Sequence, residues 1–293
     1  MSERPVAPPR RPAAGRPLLS GAVTVPCPVP SATRRLFLFH HAGGSHLLYR
    51  GWESDFPPDW ELCLLDAPGR GRLLGEPLIA TSAGLVDFFL KELEQWTDRP
   101  FAFFGHSMGA LIAYELTCRL VAEERPAPLW AGLSSCGAPR APRAGSGPRR
   151  HEFTDVKLRE WLRAAGGTPD AVLDQPGMWR AFGPVFRNDF ALVDTWRPAL
   201  PALRLPVALS AFGGADDAVV GHDRLLAWDR YSRRFHGPHM YRGGHFYLRD
   251  HHRSVITRIV EAVSAAIPTP AGPSLAGTSG PTDRTDRKTG NTP

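Results

Sequence analysis

Only four of the 293 residues are cysteine, Cys27, Cys63, Cys118 and Cys136, and none stands in a C-x-x-C spacing. That sparsity excludes a disulfide scaffold and a thiolate zinc framework. Three of the four lie in apolar segments and read as small core residues, the usage of a reducing compartment. Long apolar runs are also missing: none approaches the roughly 18 residues of a membrane span. The first residues, MSERPVAPPRRPAAGRPLL, carry arginines but no run that would make a signal-peptide core. The expectation is a cytoplasmic protein with no membrane partner. No internal repeat is visible.

The formal net charge is +6, but little of it lies in the middle of the chain. Residues 1–30 hold Arg4, Arg10, Arg11 and Arg16 against Glu3, a balance of +3, and residues 268–293 hold Arg284, Arg287 and Lys288 against Asp283 and Asp286, a balance of +1. A basicity confined to Pro-rich ends does not describe a nucleic-acid surface, and no nucleic-acid partner is expected.

What is present is enough apolar sequence, 42% of residues, for one large α/β domain. Residues 1–30 and 268–293 are rich in Pro and polar or small residues and are expected as flexible tails, leaving a folded domain over 31–267. Near-continuous apolar runs predict strands buried on both faces at Arg35–Phe39, Glu61–Asp66, Phe101–Phe104, Leu129–Ser135 and Pro206–Phe212. Helical spacing predicts helices at Ser82–Trp96, Gly109–Glu123 and Arg253–Ala266. Strands alternating with helices predict an α/β fold with a mostly parallel central sheet covered on both sides. Between about 140 and 200 the alternation breaks. Trp161, Trp179, Phe182, Phe186 and Phe190 fall at helical spacings there, so a helical insertion is expected, serving either as a lid or as further cover for the sheet.

The segment Gly105-His106-Ser107-Met108-Gly109 is G-x-S-x-G, placed directly between an apolar strand and a helix. A serine on that sharp turn needs small neighbours and gains the free N–H groups of the helix start. Ser107 is the expected nucleophile; the alternative is a plain helix cap. A hydroxyl needs a base and a partner for that base, and in this motif's fold the chain order is serine, acid, histidine. His245, after the small residues Gly243 and Gly244, is the expected base, with His236, His239, His251 and His252 as competitors. The acid is expected after the strand Pro206–Phe212, at Asp217, with the adjacent Asp216 left open and Asp194 a remote third. An oxyanion needs two N–H donors: Met108 N–H, and Ala42 N–H from the Gly-rich loop Phe39-His40-His41-Ala42-Gly43-Gly44-Ser45. That loop could also be an ordinary strand-to-helix turn. A metal on His40, His41 and His46 matches no ligand framework, and none is expected.

Taken in order, these segments resemble the free-standing type II thioesterases of polyketide synthase and non-ribosomal peptide synthetase systems, in the α/β-hydrolase superfamily. The resemblance covers about 31–267. The Phe39 to Ser45 loop is similar to the family's F-P-x-A-G-G-[SA], with His40 in place of proline. Asp66-Ala67-Pro68-Gly69-Arg70 resembles [QD]-x-P-G-R. Gly105 to Ala110 and Gly244-His245-Phe246-Tyr247-Leu248 resemble the nucleophile and histidine motifs, and Gly166-Gly167-Thr168-Pro169 resembles a lid motif. Asp189 to Trp196 resembles the D-x-x-x-x-[DE]-x-[YW] that closes the lid, and Asp217-Ala218-Val219-Val220 keeps the register of G-x-x-D-P-x-V with alanine for proline.

The resemblance implies a hydrolase that removes aberrant acyl groups from the phosphopantetheine arm of acyl or peptidyl carrier proteins. It implies no cofactor, a monomer, and a lid whose aromatics Trp161, Trp179, Phe182, Phe186 and Phe190 line an acyl chamber or pack the lid. Arg140, Arg143, Arg149 and Arg150 would suit an acidic carrier or be merely solvated. The alternatives are a general carboxylesterase or lipase, and a carrier-binding protein without catalysis. A cyclising domain is less expected, because the chain starts at its own methionine and residues 1–30 are too short for a carrier domain.

Overall fold

The computed structural model describes residues 16–139, 149–198 and 204–267. Its centre is a sheet with the strand order β1 (Leu18–Ser20), β2 (Val23–Val25), β4 (Trp60–Leu65), β3 (Arg34–Phe39), β5 (Phe101–His106), β6 (Trp130–Ser134), β7 (Leu205–Gly214) and β8 (Ser232–Phe235), and a ninth strand also pairs with β7. The parallel part consists of β3 (Arg34–Phe39), β4 (Trp60–Leu65), β5 (Phe101–His106), β6 (Trp130–Ser134) and β7 (Leu205–Gly214). These are the five apolar runs of the sequence, and β4, β5 and β6 are buried along their whole length. Side chains alternate across the pleat. Phe37, Phe39 and Phe103 enter the core on one face, and Leu36, Leu38 and Phe104 enter the core on the other.

Helices α1 (Ser82–Leu93) and α2 (Met108–Ala122) cover the first face. In α1, Leu85, Val86, Phe89, Leu90 and Leu93 form the buried stripe, and Thr81 caps the helix by accepting from the Gly84 N–H. The helical spacing runs on to Trp96 as a 3₁₀ turn. Helix α7 (His252–Ala266) covers the second face through Val255, Ile256, Ile259 and Val263. Between β6 and β7 lies the expected insertion, with α3 (Asp155–Ala165), α4 (Asp170–Asp174) and α5 (Pro176–Thr195). A short α6 (His222–Leu226) follows β7.

Two expectations need correction. The N-terminal segment is not a tail as far as residue 30. Leu18–Ser20 (β1) and Val23–Val25 (β2) form a hairpin, and β2 joins β4 antiparallel, extending the sheet edge. The hairpin turns at Gly21, φ 51°, and all of β2 is buried. Its sequence, L-L-S-G-A-V-T-V, is a β-branched run around a glycine, a strand signal masked by the surrounding Pro and Arg. Secondly, the five apolar runs do not exhaust the sheet: β8 (Ser232–Phe235), which exposes Arg233 and Arg234, is a further strand without an apolar run, while β9 (His239–Tyr241) is the short apolar-aromatic piece that precedes the His245 loop. Residues 1–15 and 268–293, and the insertion's outer bounds at 140 and 200, lie outside the described residues.

Candidate active site

Ser107 sits where β5 ends and α2 begins, with φ 56° and ψ −114°. A non-glycine residue at positive φ is strained by roughly 1–3 kcal/mol and must be held by its surroundings. Its N–H donates to Ser134 O at 2.7 Å, at the end of β6. The glycines on either side have no room for a side chain. A Cβ on Gly105 would lie 2.1 Å from Gly109 O, and one on Gly109 would lie 2.2 Å from Phe39 O. The Ser107 side chain makes no capping hydrogen bond to α2, so the plain cap reading does not describe it.

The loops after β7 and β9 bring a histidine and an aspartate together. His245 Nδ1 lies 2.8 Å from Asp217 Oδ2, and both side chains are buried. Asp217 Oδ1 accepts from the Val219 and Val220 N–H groups. Burial alone would raise the Asp217 carboxyl; the hydrogen bond and charge of His245 and the two N–H groups outweigh it and hold the carboxyl below its ordinary range. Asp216 does different work: its carboxylate accepts from Gly243 N–H at 3.2 Å and ties the two loops together. A Cβ on Gly214 would strike the carbonyls of Gly243 and Gly244, so only glycine permits this approach.

The His245 ring stands 5.3 Å from that of His106, the residue before Ser107. The competing histidines lie elsewhere. His236 is exposed, His239 packs on Phe212, His251 faces Tyr241, and His252 meets Asp55. Asp194 is taken by Arg150 and His151.

The oxyanion-loop candidate, after β3, lies against the same elbow. Gly43 N–H donates to Asp189 and Gly44 N–H to His41 O, whereas neither Ala42 N–H nor Met108 N–H has an acceptor among the described residues. Three histidines surround this point. Burial, helped by Arg70, pushes His40 down to about 4. Burial also holds His41 and His106 well below their ordinary value, and the neighbouring histidines add to it. All three are therefore neutral at pH 7. Among the described residues no group of three or more His, Cys, Asp or Glu is placed to hold a metal, and no helix is long and apolar enough to cross a membrane.

A family model described as a thioesterase domain matches residues 34–265. The chain belongs to the thioesterase family. Gramicidin S biosynthesis protein GrsT of Aneurinibacillus migulanus is 31% identical over 218 residues, 74% of this chain and 84% of that protein. The medium-chain S-acyl fatty acid synthase thioesterase of Homo sapiens is 30% identical over 75% of this chain and 83% of its own. Among solved structures, RedJ, the thioesterase from the prodiginine pathway of Streptomyces coelicolor, superposes with a TM-score of 0.73 at 29% identity, covering 88% of this chain and 96% of RedJ. YbtT, the type II thioesterase from the yersiniabactin NRPS/PKS pathway, gives 0.71 at 28% identity, with 81% and 95% covered. These likenesses place the chain among type II thioesterases with an α/β-hydrolase fold, as its motifs implied.

The insertion of this thioesterase reaches the site at two places. From α5, the buried Phe186 ring meets the loop after β3: a Cβ on Gly43 would be 2.0 Å from it. From the α3–α4 turn, Gly167 lies against Phe246, next to His245, and its carbonyl accepts from Arg249 at 2.6 Å. Trp179 is buried and stacks on Phe186, with its Nε1 donating to Asp155. Trp161 meets Phe190 edge-on, and the Arg150 guanidinium lies over both rings. Phe182 is half-buried against the core.

Arg150 is thus turned inward on Asp194 and two aromatics, not outward to a partner, while Arg149 pairs with Glu152 on the surface; Arg140 and Arg143 lie outside the described residues. Residue-by-residue reading of the sequence passed over Ser135. It has φ 46°, is buried, and donates to His245 O at 3.1 Å. Its only signal was its place, directly after a strand that ends beside the elbow.

Proposed function

We propose that this thioesterase hydrolyses acyl thioesters borne on the phosphopantetheine arm of acyl or peptidyl carrier proteins, and so clears aberrant acyl groups from polyketide or non-ribosomal peptide assembly. The observation that supports the reading is the strained, uncapped Ser107 directly after His106, whose ring stands 5.3 Å from that of His245 in the buried His245–Asp217 pair. In this reading His245 takes the Ser107 proton as the hydroxyl attacks the thioester carbonyl. Asp217 holds the imidazole tautomer and stabilises the imidazolium. Ala42 and Met108 N–H groups receive the oxyanion, with the α2 N-terminus adding its partial positive charge. The pantetheine thiol leaves with the proton from His245. Water, deprotonated by His245, then attacks the acyl-serine and releases the free acid.

Each step uses side chains and N–H groups of this chain alone, so no cofactor is required; the pantetheine arm arrives with the substrate. Phe186, beside the oxyanion loop, is assigned to the wall of the acyl chamber, and Trp161, Trp179, Phe182 and Phe190 to the packing behind it. Relatives that belong to NRPS/PKS pathways support a carrier-borne substrate. The same reading has the chain acting as a monomer in the cytoplasm, and sedimentation of the purified protein checks the first point.

The test is mass spectrometry of defined acyl-carrier proteins exposed to the enzyme. Loss of the acyl mass is expected, and Ser107→Ala should lower kcat by a factor on the order of 10⁴ or more with the fold intact. An alanine variant as fast as wild type would remove the nucleophile assignment. Rapid cleavage of p-nitrophenyl esters with no cleavage of any carrier thioester would make the chain a general esterase.

A further inference from the structure

The loop that offers Ala42 N–H to the site is held by two side chains outside the triad. No peptide bond in the described chain is cis, so the His41 C=O and the Ala42 N–H, which share one peptide plane, point in opposite directions. The His41 carbonyl is bound on its side by two donors: His40 Nδ1 at 2.7 Å and Gly44 N–H at 3.0 Å. The tautomer of His40 is set by its other nitrogen, because Nε2 accepts from Ala67 N–H at 3.2 Å and the proton must therefore sit on Nδ1. His40 is 3% exposed, and both of its ring nitrogens are used.

The next peptide is held as well. Gly43 N–H donates to Asp189 Oδ2 at 2.7 Å. That carboxylate, 1% exposed, comes from α5 of the insertion and is held in turn by both terminal nitrogens of Arg70 and by Asn188 Nδ2. Gly43 has φ 75°, and a Cβ there would lie 2.0 Å from the Phe186 ring, so the position takes only glycine.

We propose that His40 and Asp189 are positioning residues which lock two consecutive peptides of this loop and so aim the Ala42 N–H at the oxyanion. The proposal rests on the role given to Ala42 under the proposed function. Neither residue touches substrate; each acts through the backbone it holds. His40 does so at the place where the resembling family pattern has proline, which restricts its neighbour by ring geometry and not by a hydrogen bond.

The test is a kcat-against-KM split. His40→Leu removes the donor while keeping bulk. It should lower kcat by about 10- to 100-fold, because a displaced oxyanion donor acts chiefly in the transition state, with KM within about twofold of wild type. Affinity for a trifluoromethyl ketone, which forms a tetrahedral adduct, should fall by the same factor, while affinity for a thioether analogue of the substrate should hold. His40→Asn restores an N–H donor near the Nδ1 position and should recover most of the rate.

If His40→Leu does not fold, the double variant Asp189→Leu with Arg70→Met carries the test. It removes the pair without leaving a lone buried charge and should show the same loss confined to kcat. A folded His40→Leu or double variant within threefold of wild-type kcat overturns the proposal. So does a joint fall of kcat and thioether affinity that His40→Asn fails to rescue. All rates are read on p-nitrophenyl esters as well as carrier thioesters. A wild type that cleaves the former alone rejects the carrier reading while leaving this one to stand or fall on its variants.

Discussion

The central sheet and the helical insertion are held by different physics. In the sheet, β4, β5 and β6 are buried from end to end, and the loops that carry the proposed catalytic residues are positioned by backbone against backbone, with Gly105, Gly109 and Gly214 clearing the way. Helices α3 and α4 bury only Leu158, Leu162 and Leu173. They are tied instead by charge: Arg187 to Asp155, Arg163 to Asp174, and Arg249 to the Gly167 carbonyl. Apolar burial at roughly 25 cal/mol per Å² is not weakened by salt screening, whereas exposed ion pairs contribute about 1 kcal/mol or less and are screened. Helix α5 bridges the two regimes, with an apolar face on the core and the buried Asp189–Arg70 pair beneath it. The sheet and the loops at its rim are therefore the part held by burial, and the outer helices of the insertion are the part whose attachment conditions can change.

Four outcomes would sharpen or break this contrast. The largest concerns two adjacent carboxylates at the rim of the sheet. Asp217→Asn should lower kcat by about 10⁴-fold, since it removes the charge that supports the imidazolium. Asp216→Asn, at a loop tie, should cost less than about tenfold. Equal losses at both positions would show that the rim is not specified by the buried pair.

Next, Gly109→Ala should destabilise the fold by about 3 kcal/mol or more, because the new methyl would meet the Phe39 carbonyl at 2.2 Å. Thermal unfolding should show a drop of roughly 10 °C. A milder effect would mean that elbow and oxyanion loop can separate.

The third outcome is acid sensitivity. His40 is lowered from its ordinary 6.5 to about 4, so between those values the unfolded chain binds more protons than the folded one. Its contribution is complete above the unfolded value and is lost as pH falls, by about 2 kcal/mol at pH 5. His41 and His106 shift in the same direction and add to the slope. Urea unfolding from pH 7 to pH 5 measures it, and His40→Gln should flatten the dependence.

The smallest effects belong to the insertion. Arg150→Ala, which leaves the buried Asp194 short of its partner, should cost about 2 kcal/mol and raise hydrogen exchange in α3 and the end of α5 without touching β5. Arg163→Ala, on an exposed pair, should cost under about 0.5 kcal/mol.

Much of the frame was legible in the sequence because the core strands are near-continuous apolar runs, and because G-x-S-x-G between a strand and a helix has one good structural reading. The hairpin at 18–25 was not, since its three-residue strands lie among Pro and Arg and take their stability from the edge of β4, which a local reading does not see. β8 was missed for a like reason: Ser-Arg-Arg-Phe becomes a strand only because β7 offers it a partner. Side-chain choice within the site divides similarly. Asp216 and Asp217 are equivalent as letters and differ only in which one faces His245. Arg150 read as a surface charge because its partner Asp194 is 44 residues away.

The two glycines of the elbow carry a last consequence. Because Gly109 abuts the Phe39 and His40 carbonyls, the turn that presents Ser107 and the loop that presents Ala42 are a single casting. A descendant of this chain seeking a longer or bulkier acyl group has no latitude there. Redesign of appetite is left to the insertion, residues 155–195, which can be re-cut, or grafted from a cousin, while Ser107 and Ala42 keep their places.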